Sequence, residues 1–198
     1  MRATSSFEWI LSRLPAERPL RVLDIGCGEC PEASTLIASG VELTGVDADE
    51  AAIAKARAAA PGATFIAADA ATLQPAGWSS PFDMVLLRRP ELAAAPGTWR
   101  RIISFVPSWL SARGRAIVST PGSSEAEMAR KWLDEAGLAV APTIQLGADG
   151  ERYVVTATRP APSPLVWEDG EAGHVCDLAT GTCTMPASRE KEKHDGEG

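Results

Sequence analysis

The chain has 198 residues, of which 45% are apolar and 23% charged, and its formal net charge is −7. These proportions exclude a wholly disordered chain, a collagen and a small disulfide-stapled scaffold. No apolar stretch approaches the ~18–20 residues that cross a membrane. Residues 1–20 contain no signal-type apolar run followed by a cleavage site, so we expect a cytoplasmic protein.

The charge is unevenly distributed along the chain. Residues 168–198 hold eight acids and three bases, a net of −5, which leaves −2 for the remainder. A near-neutral body with an acidic tail offers no extended basic surface for a phosphate backbone, which argues against a nucleic-acid partner. We also expect no membrane partner, because no apolar stretch is long enough to cross a membrane. A local arginine patch could still dock a small structured RNA.

Helix-like and strand-like segments alternate over the first 159 residues. Helices are predicted at 5–14, 31–39, 49–60, 98–110 and 124–137, with Pro107 predicting a kink or break in the fourth. Strands are predicted at 21–25, 41–47, 63–68, 82–87, 115–120, 138–146 and 152–158. This order predicts the α/β class: a doubly wound, mostly parallel seven-stranded sheet with an antiparallel last strand.

The composition changes near residue 160, where Pro160, Pro162 and Pro164 are followed by an acidic, Gly- and Cys-containing stretch. We therefore predict one domain over 1–159 and a poorly ordered tail over 160–198 without a core of its own.

Three acidic residues follow the first three predicted strands. Asp24 leads into the Gly-rich turn of Gly26 and Gly28, whose backbone can approach a ligand closely before a helix begins. Asp47 ends the second strand, where a carboxylate can accept hydrogen bonds from both hydroxyls of a ribose. Asp69 follows the third strand, where a carboxylate can accept from an adenine amino group. A tight turn without a ligand and helix-capping acids remain alternatives.

Together, VLDIGCG (22–28), GVD (45–47), AADA (67–70) and FDMVLL (82–87) resemble the motifs of the class I S-adenosylmethionine-dependent methyltransferase family. The resemblance spans residues ~7–158 in order and spacing. It implies a Rossmann-like fold and an enzyme that methylates a small-molecule acceptor with S-adenosylmethionine as cofactor. A non-catalytic binding module with the same fold is the alternative function.

The resemblance also implies a cofactor-binding set. Asp24 would hold the methionine amino end, Asp47 the ribose, and Asp69 with Ala70 the adenine. Gly26 and Gly28 would pack against the methionine and ribose, and the backbone near Arg88 would lie beside the methionine group. The set that this resemblance implies is Asp24, Gly26, Cys27, Gly28, Asp47, Ala48, Asp69, Ala70 and Arg88.

Cys30 stands where the family usually has a third glycine, and its side chain could narrow the pocket or shift the helix start. With Cys27 it also forms a C-x-x-C motif between a strand and a helix, which is typical of thioredoxin-type redox proteins. A thiol redox function is therefore a further alternative.

Candidates for the chemistry are few. Arg88 and Arg89 could clamp a carboxylate or phosphate on the substrate. Alternatively, both could be solvated on the surface, or one of them could form an ion pair with Glu91. The N-P-P-Y/F-type tetrad that marks methylation of bases or glutamine in this family is absent from the sequence. Both histidines lie in the tail. The catalytic residues therefore stay unassigned, with Arg88 and Arg89 as candidates.

Two further groups need a place in the fold. Spacing assigns Trp99 and Trp132 to the core. Trp78 lies in the loop before the fourth strand, near the adenine side, where it could stack on the adenine or only cover the pocket, and we expect the cover. The N-terminal arm, the 88–98 loop and the tail are the available material for a substrate pocket. His174, Cys176 and Cys183 could be exposed thiols, a disulfide-closed hairpin or a metal site, and we expect no metal.

Overall fold

The computed structural model describes residues 5–14, 19–73, 78, 80–146 and 151–160 with their side chains, and the backbone of 165–167, 174–177 and 182–184. The chain divides into two units, 1–160 and 161–198. Among the described residues, no helix is long and apolar enough to cross a membrane.

The first unit alternates helices and strands as the sequence predicts. The helices are α1 (Ser6–Ser12), α2 (Ala33–Ala38), α3 (Glu50–Ala59), α4 (Pro96–Trp109) and α5 (Ser123–Glu135), with a 3₁₀ turn at Ala70–Thr72. The strands are β1 (Leu20–Ile25), β2 (Val41–Asp47), β3 (Thr64–Ala67), β4 (Phe82–Arg88), β5 (Leu110–Thr120), β6 (Ala139–Val140), β7 (Ile144–Gln145) and β8 (Tyr153–Thr158).

The sheet confirms the predicted fold class. Its strand order is β3-β2-β1-β4-β5-β8-β6, with β7 also paired to β8. Strands β1 to β5 pair in parallel, and β8 runs antiparallel to β5. The chain therefore builds outward from β1 in one direction and then from β4 in the other.

Two local predictions were wrong. The predicted strand 138–146 is two short strands, β6 and β7, which both pair with β8. Pro142 lies between them and has no N–H to donate to the ladder. Of the kink or break predicted at Pro107, the break does not occur, because α4 continues to Trp109. Pro107 lies in the last turn, where its missing N–H interrupts little of the helix.

Both faces of the sheet are buried. Alternate residues of one strand, such as Val22 and Leu23, belong to different hydrophobic clusters because successive side chains point to opposite faces. Helices α4 and α5 cover one face, with Ile103, Trp109 and Leu133 in that cluster. Helices α1 to α3 cover the opposite face. Because both faces are covered, polar side chains can contact a ligand only at the ends of the strands.

The described residues of the second unit form three short strands: β9 (Leu165–Trp167), β10 (His174–Asp177) and β11 (Thr182–Thr184). They form an antiparallel sheet in the order β11-β10-β9. Cys176 and Cys183 are paired positions in the register of β10 and β11. The side chains of His174, Cys176 and Cys183 lie outside the described part of the chain, so their roles stay predictions.

Candidate active site

The candidate site lies at the carboxyl ends of β1, β2, β3 and β4. Strand β1 pairs with β2 on one side and with β4 on the other, so the chain's winding reverses between β1 and β4. Open α/β sheets bind ligands in the crevice at this switch in strand order. Three cavities occur there, with volumes of about 730, 200 and 70 Å³.

The Gly-rich turn after β1 is fastened to β2. The backbone N–H groups of Gly26 and Cys27 donate to the carbonyl of Val46 at 2.8 and 3.1 Å. Gly26 and Gly28 have φ of +72° and +56°, which glycine adopts at little cost. A Cβ on Gly26 would lie 3.2 Å from the Trp99 ring, whereas one on Gly28 would meet open space. The turn therefore leaves open space beside Gly28.

Cys30 has a φ of +45°, in the left-handed region that favours glycine. This explains why a glycine usually stands at this position in the family that the sequence resembles. The Cys30 side chain is only 3% exposed and belongs to the core, with Sγ 3.7 Å from Oδ2 of Asp24. Cys30 thus packs beneath the turn rather than against the cleft.

The thiols of the C-x-x-C motif are poor nucleophiles. Burial, followed by the nearby Asp24 carboxyl, raises the pKa of Cys27 above its ordinary value. The same two causes raise the pKa of Cys30 to about 12. Reactive cysteines have lowered pKa values, because the thiolate is the attacking species. The redox alternative therefore gains no support from this site.

Asp24 is the one acidic residue of the turn that lies inside the protein. Its carboxyl is 3% exposed, and Oδ1 is buried without a hydrogen-bond partner among the described residues. Burial raises its pKa to about 7, although the positive charge of Arg88 lowers it. Asp24 lines the 70 Å³ cavity with Glu32 and Arg88. An unpaired buried carboxyl is costly, and an ammonium group would satisfy it.

Asp47 joins the second strand to the glycine turn. Its Oδ2 accepts the backbone N–H of Gly28, and its Oδ1 accepts that of Asp49, both at 2.8 Å. Each carboxylate oxygen has a second lone pair for a ligand hydroxyl. Asp47 and Ala48 line the 200 Å³ cavity.

Asp69 and Ala70 line the same cavity. Asp69 also caps the 3₁₀ turn, because its Oδ1 accepts the N–H of Ala71 at 2.9 Å. Asp69 therefore caps the 3₁₀ turn, as the alternative interpretation has it, and also lines the 200 Å³ cavity.

The tryptophans divide differently from the sequence expectation. Trp132 is 9% exposed and lies in the core as predicted. Trp99, predicted as core, is half-buried and lines the 200 Å³ cavity. Trp78 packs edge-on against Phe82 at the start of β4, at a centroid distance of 5.2 Å. The prediction that Trp78 covers the adenine side was wrong, because Phe82 begins the strand whose other end forms the site.

Arg88 and Arg89 meet a residue that sequence reasoning missed. Nη2 of Arg88 donates to Oε1 of Glu151 and Nη1 to Glu32, both at 2.9 Å, and Nε of Arg89 lies 3.3 Å from the same Glu151 oxygen. The other Glu151 oxygen accepts the hydroxyls of Ser119, at 2.7 Å, and Ser6. Glu151 therefore joins α1, β4 and β5.

The charges in this network stabilise one another. Burial alone would raise the pKa of Glu151, but the hydroxyl hydrogen bonds and Arg88 hold it below its ordinary value. Burial likewise opposes the charge on Arg88, yet Glu151 and Glu32 raise its pKa. No local pattern identifies Glu151, because it follows a turn-like stretch and its partners are distant in sequence.

The largest of these three cavities, of about 730 Å³, opens beside the glycine turn. Its charged lining residues are Glu29, Arg88, Arg89, Glu91 and Glu125. Residues 88–91, 93 and 94 of the loop after β4 form part of its wall. This cavity and the 70 Å³ cavity share Gly26, Cys27 and Arg88, so both lie at the end of the turn.

Comparison with known proteins agrees with this geometry. Residues 22–114 match a family model described as a methyltransferase domain. Over 68 residues the chain is 38% identical to trans-aconitate 2-methyltransferase of Methylobacterium nodulans, and over 70 residues 39% identical to that of Escherichia coli. Each match covers 33% of this chain, and 26% and 27% of the respective relative. The matched part is therefore about a quarter of those proteins.

Solved structures share the fold. A TehB-like SAM-dependent methyltransferase from Corynebacterium glutamicum has a TM-score of 0.61 at 20% identity, over 73% of this chain and 83% of that one. Magnesium protoporphyrin IX methyltransferase from Synechocystis, solved with bound SAM, has a TM-score of 0.57 at 23% identity, over 71% and 70%.

Proposed function

We propose that this chain transfers a methyl group from S-adenosylmethionine to a small-molecule acceptor. Its residues 22–114 match the methyltransferase-domain family model, and its fold is that of class I S-adenosylmethionine-dependent methyltransferases. The observation that carries the proposal is the buried, unpaired Oδ1 of Asp24. Asp24 lines the 70 Å³ cavity, which shares Gly26 with the 200 Å³ cavity that Asp47 and Asp69 line.

The residues present fit this cofactor. Asp24 would accept the methionine ammonium, and the open backbone at Gly28 would let the chain of the ligand lie against the turn. Asp47 would accept ribose hydroxyls with its remaining lone pairs. Asp69 and Ala70 would border the adenine, with Trp99 on the same cavity.

When bound, the cofactor supplies an electrophilic methyl group on a sulfonium with a neutral thioether as leaving group. What remains for the protein is to orient the acceptor and to exclude water. The 730 Å³ cavity beside Gly26 and Arg88 would hold the acceptor. Glu91 and Glu125 line this cavity, and either carboxylate could remove a proton from an acceptor bound there.

The proposed acceptor is a small molecule and not a nucleic acid. The curated relatives are named for methylating trans-aconitate, which supports a small molecule as acceptor. The near-neutral first 167 residues support the exclusion of nucleic acid. A cytoplasmic location is part of the same proposal, and fractionation of cells producing the protein would test it.

Calorimetric titration with S-adenosylhomocysteine tests cofactor binding. We expect binding by the wild type and a loss of about 1.5–3 kcal/mol in Asp47→Ala, since two charge-assisted hydrogen bonds disappear. Asp134→Ala, an exposed acid of α5, should leave the affinity unchanged. Absence of binding at millimolar ligand would refute the proposal. Binding without methyl transfer to any metabolite extract would instead favour a non-catalytic module.

A further inference from the structure

Arg89 occupies an unusual backbone conformation at the mouth of the 730 Å³ cavity. Its φ is +47°, in the left-handed region that is costly for a residue with a side chain. Its N–H donates to the carbonyl of Ser119 at 2.9 Å, and its Nε lies 3.3 Å from Glu151. Surrounding structure thus holds Arg89 in place despite the strain, as occurs at ligand-binding positions.

The two neighbouring arginines differ in availability. Arg88 is 16% exposed, and each of its terminal nitrogens is paired with a carboxylate, one with Glu32 and one with Glu151. Its guanidinium also lies 5.4 Å from the centroid of the Phe7 ring. Arg89 is 67% exposed and uses Nε for Glu151. Its two terminal nitrogens are a coplanar pair of donors, which matches a carboxylate.

Negative charge borders the same cavity. Glu91 and Glu125 line it together with Arg89, and the Oε1 of Glu125 accepts the N–H of Ala93 at 3.4 Å. These acids would repel a doubly charged phosphate more strongly than a singly charged carboxylate. They also make a cationic acceptor the competing possibility.

We propose that Arg89 binds a carboxylate of the methyl acceptor and so restricts the reaction to carboxylate-bearing small molecules. This inference rests on the proposed function for the identity of the cavity as the acceptor site. It assigns the acceptor contact to Arg89 and leaves Arg88 as an internal ion-pair partner.

The test uses four probes with one aromatic body: phenylacetate, phenylacetamide, phenethylamine and phenyl phosphate. Each is titrated by ligand-observed NMR into the full chain, with and without S-adenosylhomocysteine. We expect phenylacetate to bind more tightly than the other three. Arg89→Gln should weaken phenylacetate binding roughly tenfold while leaving phenylacetamide unchanged.

Two variants guard against misfolding and remote charge effects. Arg89→Gly removes the guanidinium but accepts the positive φ, so it should weaken phenylacetate binding as much as Arg89→Gln does in a folded protein. Arg113→Gln removes an exposed arginine on the same strand as Ser119, six residues or about 20 Å away, and should change nothing.

The outcomes separate this inference from the proposed function. The inference is overturned by equal phenylacetate affinity in wild type and Arg89→Gln, or by tighter binding of phenethylamine or phenyl phosphate. If that happens while S-adenosylhomocysteine still binds, the proposed function stands. If S-adenosylhomocysteine fails to bind but phenylacetate binding depends on Arg89, the carboxylate site stands and the methyltransferase proposal fails.

Discussion

Nη2 of Arg88 donates to Oε1 of Glu151 at 2.9 Å across 63 residues of sequence, which connects the end of β4 to the residue two positions before β8. Glu151 is 4% exposed and also accepts the hydroxyls of Ser6 and Ser119. A single carboxylate thus fixes α1 and β5 beside the candidate site.

Replacing Glu151 by glutamine should destabilise the protein by about 2–4 kcal/mol. The variant leaves Arg88 partly buried with only Glu32 as its counter-ion, and removing one partner of a buried ion pair is costly. Urea unfolding measures the difference. Glu127→Gln is the matched control, because Glu127 is 77% exposed on α5 and should change stability by less than about 0.5 kcal/mol. Equal stabilities of the two variants would contradict a structural role for Glu151.

The affinity for S-adenosylhomocysteine should rise with pH up to about 7. Burial raises the pKa of Asp24 to about 7, in surroundings that include Arg88, Glu32, Glu151 and Cys30. An incoming ammonium prefers the ionised carboxylate, so binding below pH 7 must release a proton and weakens up to tenfold per unit. Calorimetry in buffers of different ionisation enthalpy measures that proton. Asp24→Asn should bind more weakly and show no such release; an unchanged pH profile in this variant would exclude Asp24 as the titrating group.

Asp24 also affects stability in the absence of ligand. Because the folded-state pKa is raised above the unfolded value of about 3.8, the folded protein binds the extra proton between these two pH values. The stabilisation from this residue is complete below pH 3.8 and is lost as the pH rises through 7. Asp24→Asn should therefore show a smaller fall in unfolding free energy between pH 5 and pH 8 than the wild type does; identical falls would count against this assignment.

Gly45→Ala should destabilise the protein by about 1–3 kcal/mol. A Cβ on Gly45 would lie 2.6 Å from Cδ1 of Phe65 and 2.8 Å from Sγ of Cys27, so the glycine turn and β3 would both have to move. Gly97→Ala is the comparison, because a Cβ there meets nothing within 4 Å and Gly97 lies in α4. In thermal unfolding, the free energy of unfolding of Gly97→Ala should equal that of the wild type or exceed it by up to about 1 kcal/mol. A neutral Gly45→Ala would show that the close packing of Cys27 on β2 is not required.

Cys30→Gly should be at least as stable as Cys30→Ala. Both variants lose the buried sulfur, but only glycine relieves the φ of +45°. At Cys27, which does not have a positive φ, the order should be reversed, with alanine the more stable replacement. Chemical denaturation of the four variants measures both orders. The same order at both positions would show that the left-handed conformation of Cys30 carries no cost.

Much of the fold and of the cofactor end of the site was predictable from local patterns. Alternation of apolar strands with amphipathic helices predicts a doubly wound sheet, because each strand buries both faces. The acids that follow β1, β2 and β3 do lie at one edge, since parallel strands place their carboxyl ends together. Asp47, Asp69 and Gly26 all line one cavity.

The acceptor side was less predictable. Arg88 and Arg89 were recognised as candidates, with Glu91 as one possible partner for one of them. The structure instead pairs both with Glu151, and Arg88 also with Glu32. Helical spacing assigned Trp99 to the core, although it borders the cavity of Asp47 and Asp69. Spacing identifies the inward face of a helix, but the cavity edge depends on where neighbouring elements end.

The initial charge count of −7 with a near-neutral body already argued against a nucleic-acid surface. The sequence by itself determined the fold class, most of the strands and the positions of the turn residues, because these depend on local periodicity and spacing. Only the tertiary structure decided which charges pair, which arginine stays accessible and which carboxyl is buried without a partner. Those properties depend on distances between segments that are far apart along the chain, as with Arg88 and Glu151.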